Sequence, residues 1–220
     1  MRCFFGLALP DECRTLLHAA FAGLRAEFAG RNCSWVAPAN LHVTLRYLGE
    51  SDRARLQDVT TRAEGVVQAM AAPRLRLGEA GLFPARRKRP FVLWAGLQAE
   101  PAAAGGPRTE PGSLDGLARG LEQAARLAGF AAEQRAWRPH ITLARLRSPA
   151  QRGRGTREPG NGQDDGAADL ELRLPLLPEF AWSPDRIELF RSVPGPQGVD
   201  YPSLRSFAFF RPSPPPTLTP

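Results

Sequence analysis

Lysine is almost missing from this chain: of the 29 basic residues, Lys88 alone is not arginine. With 22 acidic residues the formal charge is +7, a surplus that concentrates anions such as nucleic acid at a protein surface. Arginine in place of lysine, with abundant Ala, Gly and Pro, is equally what a GC-rich genome encodes, so charge by itself selects no partner. Cysteine is scarce too. Cys3, Cys13 and Cys33 match no zinc or redox spacing, which points to free thiols in a reducing compartment. No apolar run approaches the roughly 18–20 residues that span a bilayer. The apolar start up to Pro10 is shorter than a secretory core and is followed by Asp11-Glu12. A cytoplasmic protein with no membrane partner is expected. A Gly-rich phosphate loop with Lys and a Gly-x-Ser-x-Gly elbow are absent, as are a His-x-His and any acidic cluster beyond Asp164-Asp165. No cofactor or metal is therefore expected.

What is present suffices for a packed core, since 43% of 220 residues are hydrophobic. Residues 2–9 read as a buried strand, and Pro10-Asp11 opens a helix with Leu16, Leu17, Ala20, Phe21, Leu24 and Phe28 at helical spacing until Gly30. A second strand runs from Leu41 to Leu48 and is closed by Gly49. Ser51 or Asp52 caps a helix to about Met70, with Leu56, Val59, Ala63, Val66 and Met70 inward. Leu75 and Leu77 alternate with arginines, and Phe91–Trp94 supplies a further strand. After a Pro-, Ala- and Gly-rich hinge at 99–112, Ser113 caps a helix carrying Leu114, Leu117, Leu121 and Ala125, stopped by Gly129. A strand at 139–146 then resembles the one at 41–48, and others are expected at 171–174, 186–191 and 204–210.

Strand, helix, strand is thus used twice, which suggests a pseudo-symmetric α+β fold. Residues 1–211 are expected to form this one domain. The stretch 148–169 is too poor in large apolar residues to offset its ordering entropy and reads as a mobile insert, and 212–220 as a disordered Pro-rich tail.

The most informative pattern is His42-Val43-Thr44-Leu45-Arg46-Tyr47-Leu48 set against His140-Ile141-Thr142-Leu143-Ala144-Arg145-Leu146, 98 positions downstream. On a strand the side-chain period is 2, so His and Thr share one face while Val or Ile and Leu anchor the other. A single His-x-Thr is common in strands; two in equivalent strands, using two of only three histidines, are not. The third, His18, falls in a helix. Two His-Thr pairs facing one cleft suit in-line displacement at phosphorus. One imidazole acts as base and the other as acid near neutrality, and the hydroxyls donate to non-bridging oxygens. Spacing does not decide which ring is which.

At these residues the sequence resembles the two-histidine phosphoesterase superfamily and, within it, the RNA 2′,3′-cyclic phosphodiesterases long called 2′-5′ RNA ligases. Similar context is found in Trp35-Val36 leading to Asn40-Leu41-His42, in Tyr47-Leu48-Gly49, Gly81-Leu82-Phe83-Pro84 and Leu93-Trp94-Ala95-Gly96, and in Pro139-His140 onward. Ile187-Glu188-Leu189, Ser192, Gly198 and Tyr201 resemble the family's ending. The resemblance implies a bilobal, pseudo-two-fold α+β fold with antiparallel sheets lining a central cleft and helices packed outside. A monomer is expected. The resemblance also implies metal-independent hydrolysis of a terminal ribose 2′,3′-cyclic phosphate to a 2′-phosphate, with RNA or a cyclic nucleotide as partner. It implies His42 as proton donor, His140 as proton acceptor, and Thr44, Thr142 and Arg145 as phosphate ligands.

Strict alternation turns Arg145 away from the cleft, so a bulge or the strand end must redirect it, whereas Arg46 has the parity to face the cleft. Arg86-Arg87-Lys88-Arg89 is read either as a track for an RNA backbone or as a solvated turn. Phe83, Trp94 and Trp137 are either base-stacking platforms or core. Other readings are an RNA-binding module without turnover, and a relative acting on ADP-ribose cyclic phosphate or 2′-5′ linked oligonucleotides.

Overall fold

The computed structural model describes residues 1–29, 33–83, 91–99, 113–146, 173–195 and 198–210. Strand β1 (Arg2–Ala8) leads into helices α1 (Asp11–Ala20) and α2 (Ala22–Glu27), then β2 (Cys33–Trp35), β3 (His42–Glu50), α3 (Arg53–Gln68), β4 (Leu75–Phe83) and β5 (Phe91–Ala99). Helix α4 (Leu114–Leu127) precedes β6 (His140–Leu146), β7 (Ala181–Trp182), β8 (Arg186–Arg191), β9 (Val193–Gly195), β10 (Gly198–Asp200) and β11 (Ser203–Ala208). The main strands form one curled sheet in the order β11-β8-β1-β3-β6-β5-β4-β7, with β2 also on β6. All its strand pairs are antiparallel. The two halves, β8-β1-β3 and β6-β5-β4, meet at the single pair Val43↔Ile141. A sheet joined so narrowly splays on either side of the joint, and there the bilobal, pseudo-two-fold plan opens its cleft.

The helices cover the outer face because each presents an apolar stripe. Leu114, Leu117, Leu121 and Ala125 of α4 are buried, as are Leu56, Val59, Ala63 and Val67 of α3. They close a core over Phe5, Leu7, Val43, Leu75, Leu93 and Ile141, all at most 2% exposed. Burial of this kind contributes roughly 1.5–3 kcal/mol per large side chain. Asp52 and Ser113 cap α3 and α4, accepting from the backbone N–H groups of Arg55 (2.9 Å) and Gly116 (3.0 Å).

Several expectations are corrected. The first helix breaks at Phe21, whose backbone bends (φ −99°, ψ 9°) as its ring enters the core at 1% exposure. Val67 takes the inner place expected of Val66. The strand from His42 passes through Gly49 to Glu50; the left-handed Gly49 (φ +70°) lies within it, beside a bulge. Arg173 and Leu174 lie outside any strand: Pro175 and Pro178 remove ladder donors, and Leu174 and Leu177 pack on the core instead. The short strands β2, β7, β9 and β10 carry too little pattern to be read. The insert 148–169, the tail 212–220 and the basic run 86–89 lie outside the described residues. No helix among the described residues is long and apolar enough to cross a membrane.

Candidate active site

Val43 and Ile141 are fully buried on the helix side, so alternation sends His42, Thr44, His140 and Thr142 to the opposite, concave face. Extending the Val43↔Ile141 pair by one residue each way sets His42 beside Thr142 and Thr44 beside His140. The two histidines are therefore diagonal neighbours, with Cα atoms about 7–8 Å apart. That spacing leaves room for one phosphate between the rings, and the charge of His140 is felt at His42.

Each ring is held in the same way. His42 Nδ1 lies 2.7 Å from the carbonyl of Asn40, and His140 Nδ1 lies 2.9 Å from that of Arg138. A carbonyl only accepts, so each Nδ1 carries the hydrogen and each Nε2 is left to exchange a proton. His42 Nε2 accepts from the Thr44 hydroxyl at 3.2 Å. Among the described residues no hydrogen-bond partner meets His140 Nε2.

The surroundings differ. His42 is packed by Phe4 (ring centroids 4.7 Å), Tyr201 (4.8 Å) and Phe190 (6.0 Å). His140 meets Phe83 edge-on at 4.9 Å and borders a cavity of about 720 Å³, which His42 does not. Burial lowers the pKa of both imidazoles; the Arg145 charge adds to this at each, and that of His140 adds further at His42.

Arg145 reaches the cleft by a bulge. In the β5–β6 ladder Leu93 faces Ala144 and Trp94 faces Thr142, so Leu143 has no opposite number. Leu143 and Ala144 are consecutively buried, and Arg145 emerges on the concave side, where its charge acts on His42, His140 and Tyr201. The first motif carries the same device. Phe5 faces Arg46 and Gly6 faces Thr44, leaving Leu45 unopposed. This overturns the parity expected of Arg46. It is 7% exposed, faces α4, forms an ion pair with Glu122 and donates to the carbonyls of Tyr47 and Ala131. The position equivalent to Arg145 is Tyr47, half-exposed and bordering the cavity.

Of the aromatic candidates, Phe83 stacks on Trp94 (5.3 Å) beside His140, while Trp137 donates from Nε1 to the Thr44 carbonyl at 3.0 Å, tying the approach to the second motif onto the first. Asn40 has a role that no sequence pattern signals. Its side chain donates to Val199 O (2.9 Å) and Asp200 Oδ1 (3.3 Å), fastening the β9–β10 hairpin beside His42. Tyr47, by contrast, is open to discovery, because it stands five residues after its histidine as Arg145 does.

The family model for LigT-like phosphoesterases matches residues 7–94 and 106–201. The chain belongs to that family. An RNA 2′,3′-cyclic phosphodiesterase of Thermus thermophilus is 31% identical over 211 residues, covering 94% of this chain and 90% of its own. A crystal structure from the same organism superposes with a TM-score of 0.68 at 28% identity, covering 95% of this chain and 98% of the other. Escherichia coli LigT complexed with NADP+ superposes at 0.61 with 25% identity, over 96% and 98%. This LigT-like chain therefore shares its family's phosphoesterase architecture along nearly its whole described length.

Proposed function

We propose that the protein hydrolyses the terminal 2′,3′-cyclic phosphate of RNA to a 2′-phosphate, with His42 and His140 as acid and base. One observation carries this reading: two imidazoles on adjacent strands share one face, and each is fixed through Nδ1 with Nε2 available for proton transfer. The naming of relatives such as the Thermus thermophilus enzyme supplies the substrate class.

A water enters from the open side, where His140 borders the cavity. His140 Nε2 takes its proton as the water oxygen bonds to phosphorus. The P–O3′ bond breaks on the opposite side, and the leaving oxygen takes the proton of His42 Nε2, leaving the phosphate on O2′. The carbonyls of Asn40 and Arg138 accept from Nδ1–H throughout and stabilise whichever ring is charged. Protonation of His42 ends its demand on the Thr44 hydroxyl, freeing that hydrogen for a non-bridging oxygen. Thr142 and the Arg145 guanidinium serve the same oxygens as charge builds. Every proton has a carrier in this scheme. Among the described residues no three His, Cys, Asp or Glu side chains gather as a metal-binding set.

The test is EDTA-treated protein given a 2′,3′-cyclic nucleotide, with product assignment. A 2′-phosphate product is expected, with His42→Ala and His140→Ala each lowering kcat/KM by about a hundred- to ten-thousand-fold. A 3′-phosphate product, or full turnover in either variant, overturns the reading. Binding of RNA without any turnover would make the protein a binding module.

A further inference from the structure

His42 and His140 are anchored alike, each by a backbone carbonyl at Nδ1, and the Arg145 charge acts on both. What packs against them differs. Three aromatic rings have their centroids within 6.0 Å of the His42 ring: Phe4 of β1 at 4.7 Å, Tyr201 just after β10 at 4.8 Å, and Phe190 of β8 at 6.0 Å. Among the described residues His140 has one such neighbour, Phe83, at 4.9 Å and nearly perpendicular. A cation within about 6 Å of an aromatic centroid is attracted by the negative face of the ring, more strongly where water is excluded. Phe4 is tilted only 32° from the imidazole, so the two lie nearly face to face.

This packing is specified from three parts of the chain. Alternation sends Phe5 and Leu7 into the core and Phe4 to the concave face, where it stands opposite Phe190 in the β1–β8 ladder. Gly6 keeps that place open: a Cβ there would meet the Val43 carbonyl at 2.8 Å and the edges of Phe4 and Phe190 at 3.4 Å. The rings brace one another, Phe4 lying 5.2 Å from Phe190 and 5.3 Å from Tyr201, and Phe4 and Phe190 are buried. Tyr201 owes its place to Asn40, whose side chain holds the two residues before it, Val199 and Asp200, while its carbonyl holds His42 Nδ1. One residue thus fixes the imidazole and the ring beside it.

Burial, first, lowers the pKa of His42; the Asn40 carbonyl opposes this, and the charges of His140 and Arg145 on β6 add to it. Of the other polar groups nearby, Thr44 bonds to Nε2 and Tyr47 stands opposite Phe4. The Asp200 carboxylate accepts from Asn40, and Glu188 on β8 is taken up by Ser203, Ser206 and Arg186. Among the described residues no carboxylate is paired with the imidazole. The carbonyl anchor has its equal at His140, and the three rings do not. We propose that Phe4, Phe190 and Tyr201, with Asn40 holding the last, form an aromatic cage that favours a proton on His42 over one on His140. An anionic phosphodiester attracts a proton to either ring. The cage directs it to His42, and His140, beside the open cavity, stays neutral to take the proton of water. This rests on the reading above for His42 as the donor; the four residues act through that ring and are positioning residues.

The chain holds three histidines, so carbon-13-labelled imidazoles can be titrated one by one by NMR in the whole protein. Phe4 is exchanged for phenylalanines of increasing fluorination, which keep the shape of the ring and withdraw charge from its face. The pKa of His42 should fall step by step, by roughly half a unit to one unit across the series, with His140 moving much less. The alkaline limb of kcat against pH, set by the donor, should move down with it while the acid limb holds. Tyr201→Phe should leave His42 where it is, and Tyr201→Leu should lower it. Asn40→Ala keeps the backbone carbonyl and should lower it too, with no further fall when added to Tyr201→Leu. A His42 pKa that stays level or rises with fluorination, or a fall of the same size at His140, overturns the proposal. So does a Tyr201→Phe protein that titrates as Tyr201→Leu does, since the effect would then belong to the hydroxyl. If wild-type protein turns over no 2′,3′-cyclic nucleotide, the proposed reaction fails, and the titration still decides the cage.

Discussion

Asn40 and Arg138 hold equivalent places, each two residues ahead of a cleft histidine and each turning its carbonyl to that ring's Nδ1, at 2.7 and 2.9 Å. The backbone thereby fixes both tautomers, and no carboxylate is needed to orient either imidazole. Because a carbonyl cannot accept a proton in exchange, the acid–base traffic of each ring is confined to Nε2. What distinguishes the two histidines is then their surroundings: three aromatic rings at His42, an open cavity at His140.

Burial first, and then neighbouring positive charge (His140 ahead of Arg145 at His42, Arg145 at His140), holds both imidazoles below their ordinary pKa, so two neutral rings are favoured near pH 7. General acid catalysis needs one ring charged. An anionic phosphodiester between them counters the positive charge that depresses the rings and favours the imidazolium, so binding near neutrality is expected to take up a proton. Calorimetric titration with a non-hydrolysable analogue in two buffers of different ionisation enthalpy checks this; zero uptake at pH 7 would count against it. The bell of kcat/KM against pH should correspondingly lie on the acid side of about 6.5.

Arg145 acts on the same bell from the other direction. Its charge depresses both rings, so Arg145→Ala is expected to move both limbs to higher pH. Loss of a charge-assisted bond to phosphate should also lower kcat/KM at the optimum about ten- to a hundredfold. Arg145→Lys keeps the charge and should restore the position of the bell more than its height, because an ammonium lacks the bidentate fork. A profile that does not move in Arg145→Ala would place the guanidinium elsewhere.

How far the sequence discloses this arrangement follows from the range of the interactions involved. Two His-x-Thr runs with apolar alternation disclose the central strands, because period 2 is local. The helix caps at Asp52 and Ser113 are equally local. The bulges at Leu45 and Leu143 exist only in the pairing of β3 with β1 and of β6 with β5. For that reason Arg46 reads as a cleft residue when its side chain is buried against α4, and Tyr47 is not read as the counterpart of Arg145. The link from Asn40 to Val199 and Asp200 spans some 160 positions and rests on a hairpin of three-residue strands. No window along the chain contains it.

Arg46 is expected to govern stability and not the pH profile. Its guanidinium binds the carbonyls of Tyr47 and Ala131 and pairs with Glu122, joining β3 to α4 and to the segment before the second motif. Removing one partner of a buried pair typically costs about 3–5 kcal/mol, because the other charge is stranded. Chemical denaturation of Arg46→Met should show a loss of about that size, with much of it recovered in Arg46→Met/Glu122→Leu. If Arg46→Met kept wild-type stability but shifted the kcat/KM bell, Arg46 would belong to the cleft after all.

Gly81 is the place where a single methyl should be felt at His140. The Trp94 ring lies across this glycine on the neighbouring strand, and a Cβ there would stand 2.3 Å from Cζ2 and 2.7 Å from Cη2. Neither atom is the end of a flexible chain, so the indole must tilt. Phe83 is stacked on that indole at 5.3 Å and presents its edge to His140 at 4.9 Å, so the displacement is passed to the imidazole through a chain of two rings. Gly81→Ala is therefore expected to cost about 1–3 kcal/mol by overpacking, to alter tryptophan fluorescence, and to reduce kcat more than it raises KM. Trp94→Leu in the Gly81→Ala background removes the clash and should return part of the stability. A Gly81→Ala protein as stable and as active as wild type would mean that the indole is not held across the glycine.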